Sequence, residues 1–264
     1  MNLLWLYDIP NWASFLLIVG AALAVGWTGL CGLRPWISHL HRKKNHNEVV
    51  GYFWGGMVLF YGVMVGLIAV GAWEQYSSTD EKVALEASSL AVLYREVSTY
   101  PQPIRSRLQA DLRQYTRDVI YKSWPLQRRR MVPAQTSDDL WRFQDELTSF
   151  QPGSYAEGLL HEEVLRAYDR VVELRRMRLH SVQTGLPSAV WVVVVLGAII
   201  TISAGWFFLT LSFSLHFWMM TLTSALLGLI IWLLVVMDHP FIGAVSVGPG
   251  PFVQVYKTVM ASGH

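Results

Sequence analysis

The sequence predicts an all-α integral membrane protein: four transmembrane helices in two hairpins, with an extramembrane helical bundle inserted between spans two and three. Three observations predict it. Of the 264 residues 53% are hydrophobic and only 15% are charged, where soluble domains carry about 25% charge. The charges are also concentrated: residues 74–178 hold 16 Lys and Arg and 16 Asp and Glu, leaving 8 for the other 159 positions. Finally, the apolar stretches outside that block supply four segments of the ~20 residues that a helix needs to cross a bilayer core. The divisions that follow are 1–76 for the first transmembrane hairpin, 77–180 for the bundle, 181–240 for the second hairpin and 241–264 for a C-terminal tail.

Residues 9–33 carry no Lys, Arg, Asp or Glu and form span one, which Arg34-Pro35 is expected to end by adding a charge and a helix breaker. With no basic residue ahead of it and more than the 7–15 apolar residues of a signal peptide, this span is expected to be retained. Span two is residues 49–73, stopped by Glu74. Residues 179–237 are again uncharged; at 59 residues they suit two helices, about 188–209 and 215–237, with a turn near Thr210 to Ser214. Trp5, Trp12, Trp27, Trp36, Trp54, Trp73, Trp191, Trp206 and Trp218 lie mostly near the ends of these spans, as an aromatic belt requires.

The block between the hairpins reads as helix with turn punctuation at Pro101/Pro103, Pro125, Pro133 and Pro152-Gly153. Val83, Ala87, Leu90, Tyr94 and Val97 recur at helical spacing, as do Ile104, Leu108, Leu112, Tyr115 and Val119. A shorter helix capped by Ser137 or Asp138 carries Leu140, Phe143, Leu147 and Phe150 on one face. Leu160, Val164, Ala167, Val171 and Leu174 form a fourth stripe that leads into span three. With no breaker between Trp73 and Val97, span two is expected to continue into the bundle as one helix. The short loop between spans one and two holds Arg34, Arg42, Lys43 and Lys44, so the positive-inside rule places it in the cytoplasm and the bundle outside.

Little chemistry is encoded. The lone Cys31 excludes an intrachain disulfide and a Cys-rich zinc site, and a net charge of +2 gives no reason to expect nucleic acid. His39, His41 and His46 read as an interfacial loop, and His161-Glu162-Glu163 lacks the second His of a zinc-protease motif. Arg128-Arg129-Arg130 reads as a solvated run. His216, the one titratable side chain inside spans three and four, reads as an interfacial histidine beside the turn. No catalytic constellation, metal set or cofactor motif is present, so an enzyme is not expected.

Span two differs from the others. Gly51, Gly55, Leu59, Gly62 and Gly66 share one helix face, with Val63 beside it. Such a face allows close approach of another helix, either span one with Gly26, Gly29 and Gly32 or further copies of span two around an axis. In the second case Leu59 and Val63 line or neighbour a pore that can gate by dewetting.

The close of this span, through Trp73-Glu74-Gln75-Tyr76, resembles the end of the second transmembrane helix of bestrophins. Asp238-His239-Pro240-Phe241-Ile242-Gly243, with Pro249-Gly250-Pro251-Phe252 behind it, is similar to the acidic-Pro-Phe-Gly segment after the last bestrophin span. With His46-Asn47-Glu48-Val49 ahead of span two, these elements identify a resemblance to the bacterial bestrophin-like domain family over nearly the whole chain. The signature residues are Trp73, Gln75, Tyr76, Asp238, Pro240, Phe241 and Gly243. The resemblance implies a homo-oligomer, pentameric in bestrophins, in a bacterial plasma membrane, with lipid and inorganic ions as partners and an anion pore lined by span two. It also implies a hydrophobic neck at Gly55, Leu59 and Val63, where bestrophins have larger and often aromatic side chains. Their calcium-binding acidic cluster has no counterpart after Gly243, and their helical region is cytoplasmic, opposite to the side indicated by loop charge. Two functions follow: an oligomeric anion channel, or a membrane-anchored sensory or scaffolding protein whose bundle binds a ligand or partner.

Overall fold

The computed structural model describes residues 9–40, 47–132, 136–208, 212–243 and 245–261, apart from the side chains at 35, 37–40, 136 and 137. Trp5, His41, Arg42, Lys43, Lys44, His46, Pro133 and Thr210 lie outside the described residues, as do the side chains of His39 and Ser137. Among the described residues there is no strand. The helices are α1 (Asn11–Leu40), α2 (Asn47–Glu96), α3 (Ile104–Asp118), α4 (Trp124–Gln127), α5 (Thr136–Ser149), α6 (Tyr155–Ser181), α7 (Ser188–Gly205), α8 (Phe213–Asp238) and α9 (Gly250–Val255). Four of them, α1, α2, α7 and α8, are long and apolar enough to cross a membrane. The chain forms two compact units, one of Met1–Glu74 with Gly185–Asp238 and the other of Gln75–Thr184 with His239–His264.

In the transmembrane unit α1 packs along α8. Small residues permit this approach: a Cβ at Gly228 would come within 3.0 Å of the Val19 backbone, and one at Gly26 within 2.4 Å of Ser224 Oγ. A Cβ at Gly29 would collide with the Trp206 ring, whose Nε1 donates to Gly26 O (3.2 Å). Trp27 stacks on Phe217 (5.4 Å) and donates to Thr221 Oγ1 (3.0 Å). Gly26 and Gly29 are therefore used against α7 and α8, whereas a Cβ at Gly32 would meet nothing within 4 Å; the packing of span one onto the span-two glycines that their spacing allowed is not what the unit shows. Helix α2 meets α7 instead, through Tyr61 OH to Val194 O (2.7 Å) and Trp54 Nε1 to Thr201 O (3.0 Å).

Two helix ends differ from the sequence reading. Arg34-Pro35 does not end α1, which continues to Leu40. Proline removes a single helical N–H bond, and the Arg34 guanidinium finds a place over the Phe213 ring, 4.6 Å from its centroid. Helix α6 does not lead directly into α7: it stops at Ser181, and Gly185-Leu186-Pro187 intervene, with Pro187 in extended backbone as the N-cap of α7. A residue preceding proline is pushed out of the helical region, so Leu186 cannot continue the helix. Helix α3 begins at Ile104, the first residue of its expected stripe, with Pro103 as its N-cap.

The second unit is a helical bundle built around α2, α3, α5 and α6. The expected stripes Val83, Ala87, Leu90, Tyr94, Val97 and Ile104, Leu108, Leu112, Tyr115, Val119 are all buried, as are Leu140, Phe143 and Leu147. On α6 the stripe is shifted: Leu160 is exposed, while Val164, Tyr168, Val171 and Leu174 are buried. Tyr168 takes the inward position because its ring stacks on Phe143 (5.4 Å) while its hydroxyl reaches Leu140 O (3.2 Å). The segment after α8 joins this core through Phe241, Val247, Phe252 and Met260.

Candidate functional site

Helix α2 has a buried face and a bare one. Within the transmembrane unit Tyr61, Val65 and Ala72 are buried, and at 100° per residue they sit roughly a third of a turn from the glycine face. On the latter, a Cβ at Gly55, Gly62 or Gly66 would meet nothing within 4 Å, and one at Gly51 would touch only the Phe208 ring at 3.6 Å. Leu59 is 70% and Val63 58% exposed on the same side. Only 11% of the most apolar window of α2 is buried, against 33% for those of α7 and α8. An apolar surface of this extent marks contact with lipid or with another protein.

The signature residues occupy two places. At the close of the span Trp73 is 54% exposed, Gln75 O accepts from Thr79 Oγ1 (2.9 Å), and Tyr76 packs against the bundle core. After α8, Asp238 accepts from Leu186 N (2.5 Å) and from Trp191 Nε1 (3.3 Å). A carboxylate there satisfies donors at the start of α7 and complements its dipole. Pro240 is buried and its carbonyl accepts from Val247 N (2.8 Å). Gly243 turns the chain at φ 87°, a region that glycine enters without steric cost. Phe241 is fully buried and meets the Trp124 ring edge-on (5.7 Å), while Trp124 Nε1 donates to Val247 O (3.3 Å).

That aromatic cluster holds the most buried charges of the bundle, which the sequence reading did not single out. Arg178 and Glu86 are 1% and 0% exposed. Arg178 Nε donates to Glu86 Oε2 (2.6 Å), Nη2 donates to Oε1 (3.1 Å), and Tyr115 OH donates to Oε1 (3.0 Å). The guanidinium also lies over the rings of Trp124 (5.4 Å) and Phe252 (5.6 Å). Burial opposes its charge, but the Glu86 carboxylate and Tyr115 outweigh burial and push the Arg178 pKa up. Burial first, and then the Glu86 charge, raise the Tyr115 phenol well above its usual value. The cluster is thus a neutral pair with a proton-holding phenol. It fastens α2 to α6 across 92 residues of sequence, and no group in it is available as a nucleophile or base.

The other candidates have structural roles. His161 Nδ1 lies 2.6 Å from Tyr100 OH and its ring rests on Phe150 (5.6 Å), while Glu162 and Glu163 are exposed. Burial pushes the Tyr100 pKa up to about 12. His216 is buried and its Nε2 lies 3.1 Å from Gly205 O at the end of α7. Arg128 and Arg129 are exposed, and Arg130 turns the chain at φ 60°. Cys31 is an exposed free thiol. Among the described residues no group of three or more His, Cys, Asp or Glu could hold a metal ion.

Residues 17–252 match the Bestrophin-like domain family. In fold the chain is similar to the crystal structure of a bacterial bestrophin homologue from Klebsiella pneumoniae carrying one substitution, with TM-score 0.69 and 10% identity, covering 94% of this chain and 99% of that one. A second crystal structure of a Klebsiella pneumoniae bestrophin homologue, phased from zinc, gives 0.66 and 12% over 94% and 99% of the two chains. The crystal structure of a variant membrane protein gives 0.68 and 9% over 94% and 97%. No curated protein matches.

Proposed function

The chain belongs to the bestrophin-like domain family, and from that membership we propose that it is an oligomeric ion channel of the bacterial plasma membrane, anion-conducting, with its pore lined by α2. The observation that carries this reading is the bareness of one face of α2: Gly51, Gly55, Leu59, Gly62, Val63 and Gly66 have almost no partner within their own chain. A ring of copies, five if the resemblance extends to stoichiometry, brings these faces to a common axis. Glycines there leave room for water, whereas Leu59 and Val63 narrow the path with apolar side chains and can gate it by dewetting. Between Gly51 and Gly66 this face carries no charged side chain, while the exposed Glu48 lies on it one turn before Gly51.

The test is crosslinking of Leu59→Cys in a chain whose Cys31 is replaced by Ser, in bilayers, with a short bis-maleimide. A ladder of bands closing at a defined ring size is expected; monomers alone contradict a ring. A monomeric result leaves the sensory or scaffolding reading, which is favoured by the continuity of α2 over 50 residues from the apolar segment into the bundle. On sidedness, the charge of the loop after span one supports a bundle outside the cytoplasm. Tyr155 is 84% exposed, so Tyr155→Cys in the same background should react with an impermeant maleimide on intact cells; reaction only after lysis reverses the orientation.

A further inference from the structure

The bundle has as many cations as carboxylates, and four of its surface arginines are paired with one. Arg107 bonds Glu146, Arg142 bonds Asp139 and Arg166 bonds Glu162, while Arg170 bonds Glu173 at 2.7 Å. Several of the arginines with no carboxylate partner among the described residues lie together. Arg105, Gln109, Arg113 and Arg117 recur every four residues on α3 and so share one face. Arg113 Nη1 donates to Tyr94 OH (2.8 Å) and Arg117 Nε to Tyr256 OH (2.5 Å), both phenols rather than carboxylates. Among the described residues Arg95 and Arg105 likewise have no carboxylate partner.

A cavity of about 420 Å³ opens at the N-terminal end of this stripe. Its walls come from the last turn of α2, the start of α3 and the turn of helix after α9, and they are Tyr94, Arg95, Ser98, Gln102, Arg105, Gln109, Thr258 and Val259. No Asp or Glu is among them. The wall is also ordered by its own bonds: Gln109 Nε2 donates to Ser98 Oγ (3.0 Å) and Arg105 Nη1 reaches Ser98 O (3.5 Å), while a Gln102 amide turned with its oxygen toward Arg105 accepts from that guanidinium. Arg105 is thereby fixed in position, and Arg95 is left with its donors uncommitted.

We propose that this cavity is a binding site for an oxyanion, the phosphate group of a small molecule or of a lipid headgroup. Guanidinium forks match phosphate oxygens in geometry and charge, and hydroxyl and amide groups supply the neutral donors around them. The volume exceeds that of a single phosphate and falls in the range of small-molecule sites. Because Thr258 and Val259 form part of the wall, an occupant joins the C-terminal segment to α2 and α3.

The full chain in phosphatidylcholine nanodiscs, titrated calorimetrically with inorganic phosphate and pyrophosphate at constant ionic strength, tests the site. Saturable binding of one anion per chain is expected, weakened about tenfold by Arg95→Gln and unchanged by Arg170→Gln, which lies in a paired arginine elsewhere on the bundle. Arg95 is exposed and holds no partner, so its replacement leaves the fold intact. Absence of saturable binding by the unsubstituted chain, or equal binding by Arg95→Gln, overturns the proposal. The same titration in nanodiscs containing phosphatidylglycerol identifies the source: loss of phosphate binding there assigns the site to a lipid headgroup, and unchanged binding assigns it to a soluble phosphate compound.

Discussion

Glu86 and Arg178 each occupy a position on an apolar stripe. Glu86 lies three residues after Val83, and Arg178 four after Leu174, so each is carried inward by the helix that buries its neighbours. Two charges in such surroundings are tolerable only together. Removing one strands the other, at about 3–5 kcal/mol, whereas exchanging both for apolar residues of similar size is close to neutral. Thermal unfolding in detergent should therefore show a large loss for Arg178→Met, a large loss for Glu86→Leu, and a smaller loss for the double variant than for either. Additive losses would mean that the pair is not coupled. Tyr115→Phe should cost about 1–3 kcal/mol by depriving the carboxylate of a donor. The stripe positions were legible as helix spacing, and a charged residue in register with Val83 or Leu174 was a signal available in the sequence. Which charge pairs with which was not, because 92 residues separate the two and only the packing of α2 against α6 joins them.

At the scale of the helix, glycines that look alike in sequence have opposite surroundings. Gly26, Gly29 and Gly228 lie in close helix contacts, and Gly197 lies under the Tyr61 ring, where a Cβ would approach to 2.5 Å. Gly55, Gly62 and Gly66 face open space in the single chain. Gly29→Leu should lower the unfolding temperature, since overpacking costs about 1–3 kcal/mol or more. Gly62→Leu should leave the stability of the monomer in detergent unchanged and act only where copies meet, by lowering ring formation or conductance. If both variants destabilise the monomer equally, the glycine face of α2 has a partner within its own chain. Helix ends were less legible than helix faces. Pro35 lies within α1, whose contacts with α7 and α8 carry the helix past the missing hydrogen bond. Pro187 does interrupt the chain between α6 and α7, where Gly185 precedes it and Asp238 holds the next helix start.

At the scale of the whole molecule, the uneven distribution of charge anticipates the architecture: a charged helical bundle between apolar segments, with α2 continuous from one into the other. The segment after α8 was less predictable. It has almost no charge, yet Phe241, Val247 and Phe252 enter the core of the charged bundle, because the aromatic surroundings of Trp124 and Arg178 accept apolar side chains. A pore of the proposed kind would belong to no single chain, and its signs in one chain are an unpartnered glycine face and a likeness to bestrophins. The central claim is that several copies of α2 enclose a conducting axis. Its most direct test is current across planar bilayers containing the purified protein, under a potassium chloride gradient. The account predicts a conductance absent from protein-free bilayers, reversing near the equilibrium potential of chloride and diminished by Gly62→Leu; bilayers that contain the protein and carry no current would contradict it.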